Sequence, residues 1–262
     1  MFVGERLVFV ELHKTGCTHI RNLLLEVVGG ALIDKHVAIT DLRGRLPIVG
    51  SMRNPWDWYV SLWAYGCTGG GGVRERTTRG PSADPERSPR PELAHGQPDW
   101  REVYADAFDA VRFRAWLSMM QDPARRHEVD PFYGTSSISD FAGLLTYRYA
   151  YYSTPWTSLQ RVERSGGFAG ADELARYLDE FGMWRSVILT ESLESDLIRV
   201  LGEAGYALTV EQRDTIRRRA HHKTQTSQHR EASYYYDSAA LEIVRRRERL
   251  IVERFGYAGP TN

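Results

Sequence analysis

Residues 7 to 28, "LVFVELHKTGCTHIRNLLLEVV", constrain the fold more than any other stretch of this chain. The run Leu7 to Leu12 is short and apolar, as a buried parallel strand is. It ends in His13-Lys14-Thr15-Gly16-Cys17-Thr18, and helical periodicity begins at once, with Ile20, Leu23, Leu24 and Val27 on one face. Gly29-Gly30 then stops the helix. A strand feeding a polar turn that feeds a helix is the layout of a phosphate-binding loop. The nucleotide spelling G-x-x-x-x-G-K-[ST] is absent, however: the turn has one glycine, and its lysine comes first.

The rest of the chain alternates in the same way. A second short strand is expected within 31–39, and a better one at "PIVGSM" (47–52). Asn54 can cap a helix whose first turn holds Pro55 and Asp57. Trp56, Val60, Trp63 and Ala64 then recur at helical spacing. "SVILT" (186–190) reads as another buried strand, followed by a helix from Leu193 to Gly205. Helices are also expected over 100–121, 141–152, 210–220 and 238–255. Strands alternating with helices predict one α/β domain over 1–262: a three-layer sandwich, a mainly parallel central sheet and a phosphate-binding loop after the first strand. Residues 66–98 interrupt the pattern with "GGGG" and prolines at 81, 85, 89, 91 and 98. They predict a flexible loop, either a disordered insertion or a lid over substrate.

Charge narrows the function classes. Lysine and arginine total 34, as do aspartate and glutamate, so the net charge is zero and nothing global favours nucleic acid. Between Arg213 and Arg254, eleven basic residues face six acidic ones, which leaves solvated helix faces and anion binding both open. No apolar run reaches the roughly 18 residues of a membrane span, and no secretory leader is read at the N-terminus. The two cysteines, Cys17 and Cys67, make neither a disulfide framework nor a metal cluster. The expectation is a reduced, cytoplasmic protein.

The turn itself is suited to anions. A helix start offers N–H groups without intrahelical partners and a partial positive charge. Gly16 lets backbone approach the anion, Thr15 and Thr18 can add hydroxyls, and Lys14 adds a full charge. "HKTGCTHIRNLL" resembles the 5′-phosphosulfate loop of sulfotransferases that use 3′-phosphoadenosine 5′-phosphosulfate (PAPS), commonly P-K-T-G-[GST]-T before a helix. His13 replaces the proline here, and Cys17 replaces Gly, Ser or Thr. "GSMRNPWDWYVSLW" resembles that family's 3′-phosphate segment, R-[ND]-P-x-[DE]-R-x-x-S-x-Y, with Arg53 and Ser61 at the matching positions and Trp58 where a second arginine is usual. "SVILTESLESDL" (186–197) resembles a strand followed by E-x-L-x-x-D-L. Residues 221–257 resemble the C-terminal stretch of carbohydrate-type members.

The resemblance implies a sulfotransferase that moves a sulfuryl group in line from PAPS to a hydroxyl, with no metal, leaving 3′-phosphoadenosine 5′-phosphate. His13, Lys14, Thr15, Gly16, Cys17, Thr18 and His19 would form the donor loop, Arg53 and Ser61 would hold the 3′-phosphate, and Lys223 and Arg230 would close over it with Thr224 and Ser227. Lys14 would neutralise charge on the leaving oxygen. The acceptor would be a glycan, a glycosylated metabolite or a small alcohol or phenol. No nucleic-acid partner is implied, and the oligomeric state is not readable.

The transfer needs a base. His36, in "IDKHVAIT", has the right titration range and stands where several bacterial relatives carry a Lys-His pair. Glu11, His13, Asp34 and His95 are rivals, with Glu11 better suited to orienting Lys14 or a hydroxyl. The aromatics at 147–156 fit core packing or stacking on an acceptor. Two other readings stand beside this one. A small-molecule kinase would need the missing Gly-Lys-Ser/Thr and a magnesium carboxylate. A non-catalytic nucleotide-binding module would bind without turnover.

Overall fold

The computed structural model describes residues 1–39, 46–79, 99–219 and 228–261. They fall into two compact units. The first comprises Met1–Asn54, Arg148–Val162 and Ala175–Thr226, and the second comprises Pro55–Tyr147, Glu163–Leu174 and Ser227–Asn262.

The first unit carries a five-stranded mixed sheet: β1 (Phe2–Val3), β2 (Val8–Phe9), β3 (Ala31–Leu32), β4 (Ile48–Met52) and β5 (Trp184–Leu189), in the order β3-β1-β2-β4-β5. Strands β2, β4 and β5 run parallel, while β1 pairs antiparallel with both β2 and β3. The expected mainly parallel sheet is therefore half antiparallel, and the loop follows the second strand, not the first. Residues 2–3 are too short a run to show strand periodicity. Their turn is closed by the Gly4 N–H donating to the Leu7 carbonyl (2.9 Å), a contact that sequence does not announce. All five β4 residues are buried, as a central parallel strand requires.

Helix α1 (Cys17–Val27) buries Ile20, Leu23, Leu24 and Val27, the residues of the expected stripe. They join Phe9, Val49, Ile188, Leu193 and Leu197 in one core. Each such side chain contributes about 1.5–3 kcal/mol by leaving water. The helix Leu193–Glu203 ends just before Gly205, whose φ is +85°. Glu191 and Asp196, the acids of the E-x-L-x-x-D-L segment, tie the ends of neighbouring strands. Glu191 Oε1 accepts the Asn54 N–H just beyond β4 (2.7 Å). Asp196 Oδ2 accepts the Leu189 N–H at the end of β5 (2.9 Å) and the Ser192 hydroxyl (2.8 Å). Trp184 packs so closely on Gly50 that a Cβ there would lie 2.2 Å from its ring.

In the second unit, α2 (Pro55–Cys67) begins at the expected proline, with Asp57 in its first turn. It is not amphipathic, because Trp56, Trp58, Tyr59, Val60, Ser61, Leu62 and Trp63 are all buried. A helix apolar on every side is a core helix. That accounts for Trp58 in place of an arginine: its fully buried ring packs edge-on against Tyr59, centroids 5.0 Å apart. The segment expected as a loop contains α3 (Gly72–Thr78), which buries Val73 and Thr77; 80–98 lies outside the described residues. The helix expected over 238–255 is two helices, Ser238–Arg247 and Arg249–Phe255. At the break, the fully buried Glu248 carboxylate accepts from the Tyr59 and Thr146 hydroxyls and from the Leu145 and Thr146 N–H groups. No helix among the described residues is long and apolar enough to cross a membrane.

Burial opposes ionisation of Asp196, but the hydrogen bonds from Leu189, Ser192 and Arg199 prevail and hold its carboxyl below the ordinary value. That stabilisation is present above the unfolded-state pKa, about 3.9, and is lost as pH falls through the lower folded value. Asp196→Ala is expected to cost about 1–3 kcal/mol at pH 7. In urea unfolding the penalty should shrink below pH 4; an equal penalty at pH 7 and pH 3 would refute this assignment.

Candidate functional site

The loop between β2 and α1 is held from beneath. Thr15 is fully buried, and its hydroxyl donates to the Leu12 carbonyl (2.7 Å). The Ser51 hydroxyl in β4 lies 2.6 Å away. Thr15 has one proton and has given it to Leu12, so Ser51 is the donor between the two. The expected role of Thr15, a hydroxyl offered to an anion, is thus corrected: burial turns it inward, where it lashes the loop to the sheet.

The turn passes through left-handed backbone twice, at Lys14 (φ +65°) and Gly16 (φ +74°). Gly16 is also closely packed, since a Cβ on it would come within 2.9 Å of Leu193 Cδ1 and that side chain would have to shift. Gly16 also serves as the N-cap of α1, so it supplies no side-chain acceptor, and the first turn holds no acidic residue. The positive end of the helix therefore has no carboxylate of its own sequence to offset it, although Glu194 approaches His19 in that turn (3.7 Å). Among the described residues, Lys14 and His36 (φ +55°) are the only non-glycine residues with positive φ. Such backbone costs of order 1 kcal/mol or more and persists only where its surroundings impose it.

Two cations converge here. Arg53, just beyond β4, reaches the Lys14 carbonyl through Nη1 (3.5 Å). Burial, followed by the Arg53 charge, lowers the Lys14 pKa to about 8. An anion between them would relieve both effects.

His36 is drawn onto the start of the loop. Its Nδ1 lies 2.9 Å from the Glu11 carbonyl, and its ring stacks on His13 with centroids 3.4 Å apart and planes 14° from parallel. Tyr152 tilts toward both rings, at 5.9 Å from His13 and 6.5 Å from His36. A carbonyl oxygen only accepts, so Nδ1 carries the proton and Nε2 of the neutral ring carries the lone pair. Burial lowers the His36 pKa against the opposing pull of the Glu11 carbonyl. The ring is thus held in a tautomer able to take a proton at Nε2.

The other expected residues divide. Cys17 is buried in the core beside Leu193 and Leu197, and burial raises its thiol pKa. Thr18 is half-buried in the first turn of α1. His19 sits in the same turn with Nε2 3.7 Å from Glu194, and burial lowers its pKa against that carboxylate. Glu11, expected to orient Lys14 or a hydroxyl, is fully buried, with Oε1 3.5 Å from Arg21 of α1 and 3.7 Å from the Met1 ammonium. Asp34 is exposed. Ser61 is buried in α2 and Arg230 lies over the Tyr234 ring (4.7 Å), both in the second unit. Lys223, Thr224, Ser227 and His95 lie outside the described residues. Of the aromatics at 147–156, Tyr147, Tyr149 and Tyr152 are buried, and Tyr149 packs edge-on against Trp184 (5.3 Å).

Sequence reasoning missed Ser51, Arg21 and the His13–His36 stack. A serine inside an otherwise apolar strand was the available signal for the first. Compared with family models, with curated proteins and with solved structures, the chain gives no match in any of the three.

Two substitutions separate strain from support. Lys14→Gly removes a side chain from left-handed backbone and is expected to leave the melting temperature unchanged or higher. Gly16→Ala, with the Leu193 clash added, is expected to cost about 1–3 kcal/mol. Calorimetry of both checks this, and a marked loss in Lys14→Gly would contradict it.

Proposed function

We propose that the chain is a PAPS-dependent sulfotransferase whose β2–α1 loop holds the phosphosulfate of the donor. The observation that carries the reading is the pair of left-handed residues. Lys14 and His36 are the two positions among the described residues where the chain sustains this backbone without glycine. They are also the two side chains that sulfuryl transfer would use, one as cation and one as base. The Arg53 guanidinium on the Lys14 carbonyl and the α1 first turn with no acidic residue of its own support the fit of a highly anionic donor.

In this reading the acceptor oxygen attacks sulfur as the bond from sulfur to the 5′-phosphate oxygen breaks. The acceptor proton passes to His36 Nε2, and the electron pair stays on the leaving phosphate. Lys14 and the α1 N–H groups balance that charge. Arg53 would grip the 3′-phosphate; a part for Ser61, Lys223 or Arg230 rests on sequence resemblance. The acceptor class is a glycan, a glycosylated metabolite or a small alcohol or phenol.

Titration calorimetry should show tight binding of 3′-phosphoadenosine 5′-phosphate, weak binding of ATP, and loss of the former in Arg53→Ala. Equal binding of the two nucleotides would contradict the proposal. His36→Ala should keep donor binding while transfer from labelled PAPS falls about 10²–10⁴-fold. Near-normal turnover would place the base elsewhere. Because Lys14 must be charged to hold the anion, and its pKa is about 8, affinity should fall by up to about tenfold per pH unit above pH 8. A flat profile to pH 10 would remove Lys14 from the binding step.

A further inference from the structure

Cys17 is the loop residue that the transfer reading leaves without a task. Its sulfur, a Glu11 carboxylate oxygen and a His36 ring nitrogen lie within 4.8 Å of one another. We propose that these three side chains form a binding site for a thiophilic divalent cation such as Zn²⁺.

Three features carry the inference. The first is the donor set. Sulfur, imidazole nitrogen and carboxylate oxygen together suit zinc and its chemical relatives, whereas magnesium and calcium prefer oxygen alone. The second is an unsatisfied atom. Glu11 is 1% exposed, and its Oε2 has no hydrogen-bond partner among the described residues, while Oε1 faces Arg21 (3.5 Å) and the Met1 ammonium (3.7 Å). A buried carboxylate oxygen without a partner is costly, and an ion would satisfy it. The third is orientation. The His36 ring is fixed by the Glu11 carbonyl on Nδ1 and by the His13 stack, as metal-binding imidazoles are fixed by their outer partners.

A tetrahedral zinc site holds its ligand atoms roughly 3.3–3.8 Å apart, given bonds of about 2.0–2.3 Å. The three side chains therefore need to draw in by about 1 Å, a rotamer-scale adjustment. On binding, the Cys17 S–H bond breaks, its proton goes to solvent, and the sulfur pair bonds to the metal. A fourth position stays open to water.

Metal binding here goes beyond the transfer reading and does not depend on it. Where both hold, the ion is an inhibitor. A metal-bound neutral imidazole carries its proton on the other nitrogen, so His36 retains no lone pair for the acceptor proton.

The experiment is a Co²⁺ titration of the full chain carrying Cys67→Ser, in which Cys17 is the only thiol. A thiolate-to-cobalt charge-transfer band saturating at one ion per chain, and erased by Zn²⁺, is expected. His36→Ala or Glu11→Gln in the same background should weaken binding at least about tenfold. Absence of the band in folded Cys67→Ser protein, or a band unchanged by both further substitutions, would overturn the site. Because the readout is optical and needs no donor, a failed cobalt titration leaves the transfer proposal standing, and absent sulfuryl transfer leaves the metal site standing.

Discussion

One short chain of hydrogen bonds carries the candidate site: Ser51 to Thr15, and Thr15 to the Leu12 carbonyl. It joins the middle strand of the parallel set to the turn that precedes α1. With Thr15 pinned below, Lys14 on one side and Gly16 on the other are forced into left-handed backbone. Glycine accepts this freely and lysine does not, so the tether and the packing of Leu193 against Gly16 must hold it. The β4 strand that supplies Ser51 also delivers Arg53 to the Lys14 carbonyl. One strand thus anchors the loop and brings the second cation to it.

The electrostatics follow from that placement. Burial, and after it the charge of Arg53, lowers the Lys14 pKa to about 8. The helix start adds positive potential with no carboxylate in its first turn. Beside it, His36 is kept neutral by burial and holds its proton on Nδ1 through the Glu11 carbonyl. Arg53 and the neutral His36 ring, from two other segments of the chain, thus meet the β2–α1 turn at Lys14 and His13.

Sequence made the local plan legible because the signals there are strong and short-range. The apolar run, the glycine and the stripe Ile20, Leu23, Leu24, Val27 locate β2, the turn and α1 closely. The E-x-L-x-x-D-L segment pointed to Glu191 and Asp196 without showing that each receives a backbone N–H at a strand end. What sequence could not show is tertiary. Thr15 reads as a ligand hydroxyl until Ser51 arrives from 36 residues away to claim it. Glu11 reads as a residue that orients Lys14 or a hydroxyl, and nothing local announces the Arg21 guanidinium that its carboxylate meets in α1. The antiparallel β1 and β3 are two residues each and carry no period to read. Glu248 breaks a helix whose pattern runs straight through it, because its carboxylate is satisfied by Tyr59 and Thr146, which lie far off in sequence.

The central claim is that this loop is shaped for a phosphosulfate, and the most direct test is a crystal structure of the chain with 3′-phosphoadenosine 5′-phosphate. The account predicts the 5′-phosphate against the Gly16–Thr18 N–H groups with Lys14 Nζ in hydrogen-bond range, and the 3′-phosphate against Arg53. A nucleotide bound elsewhere, with the loop making no contact to either phosphate, would contradict it.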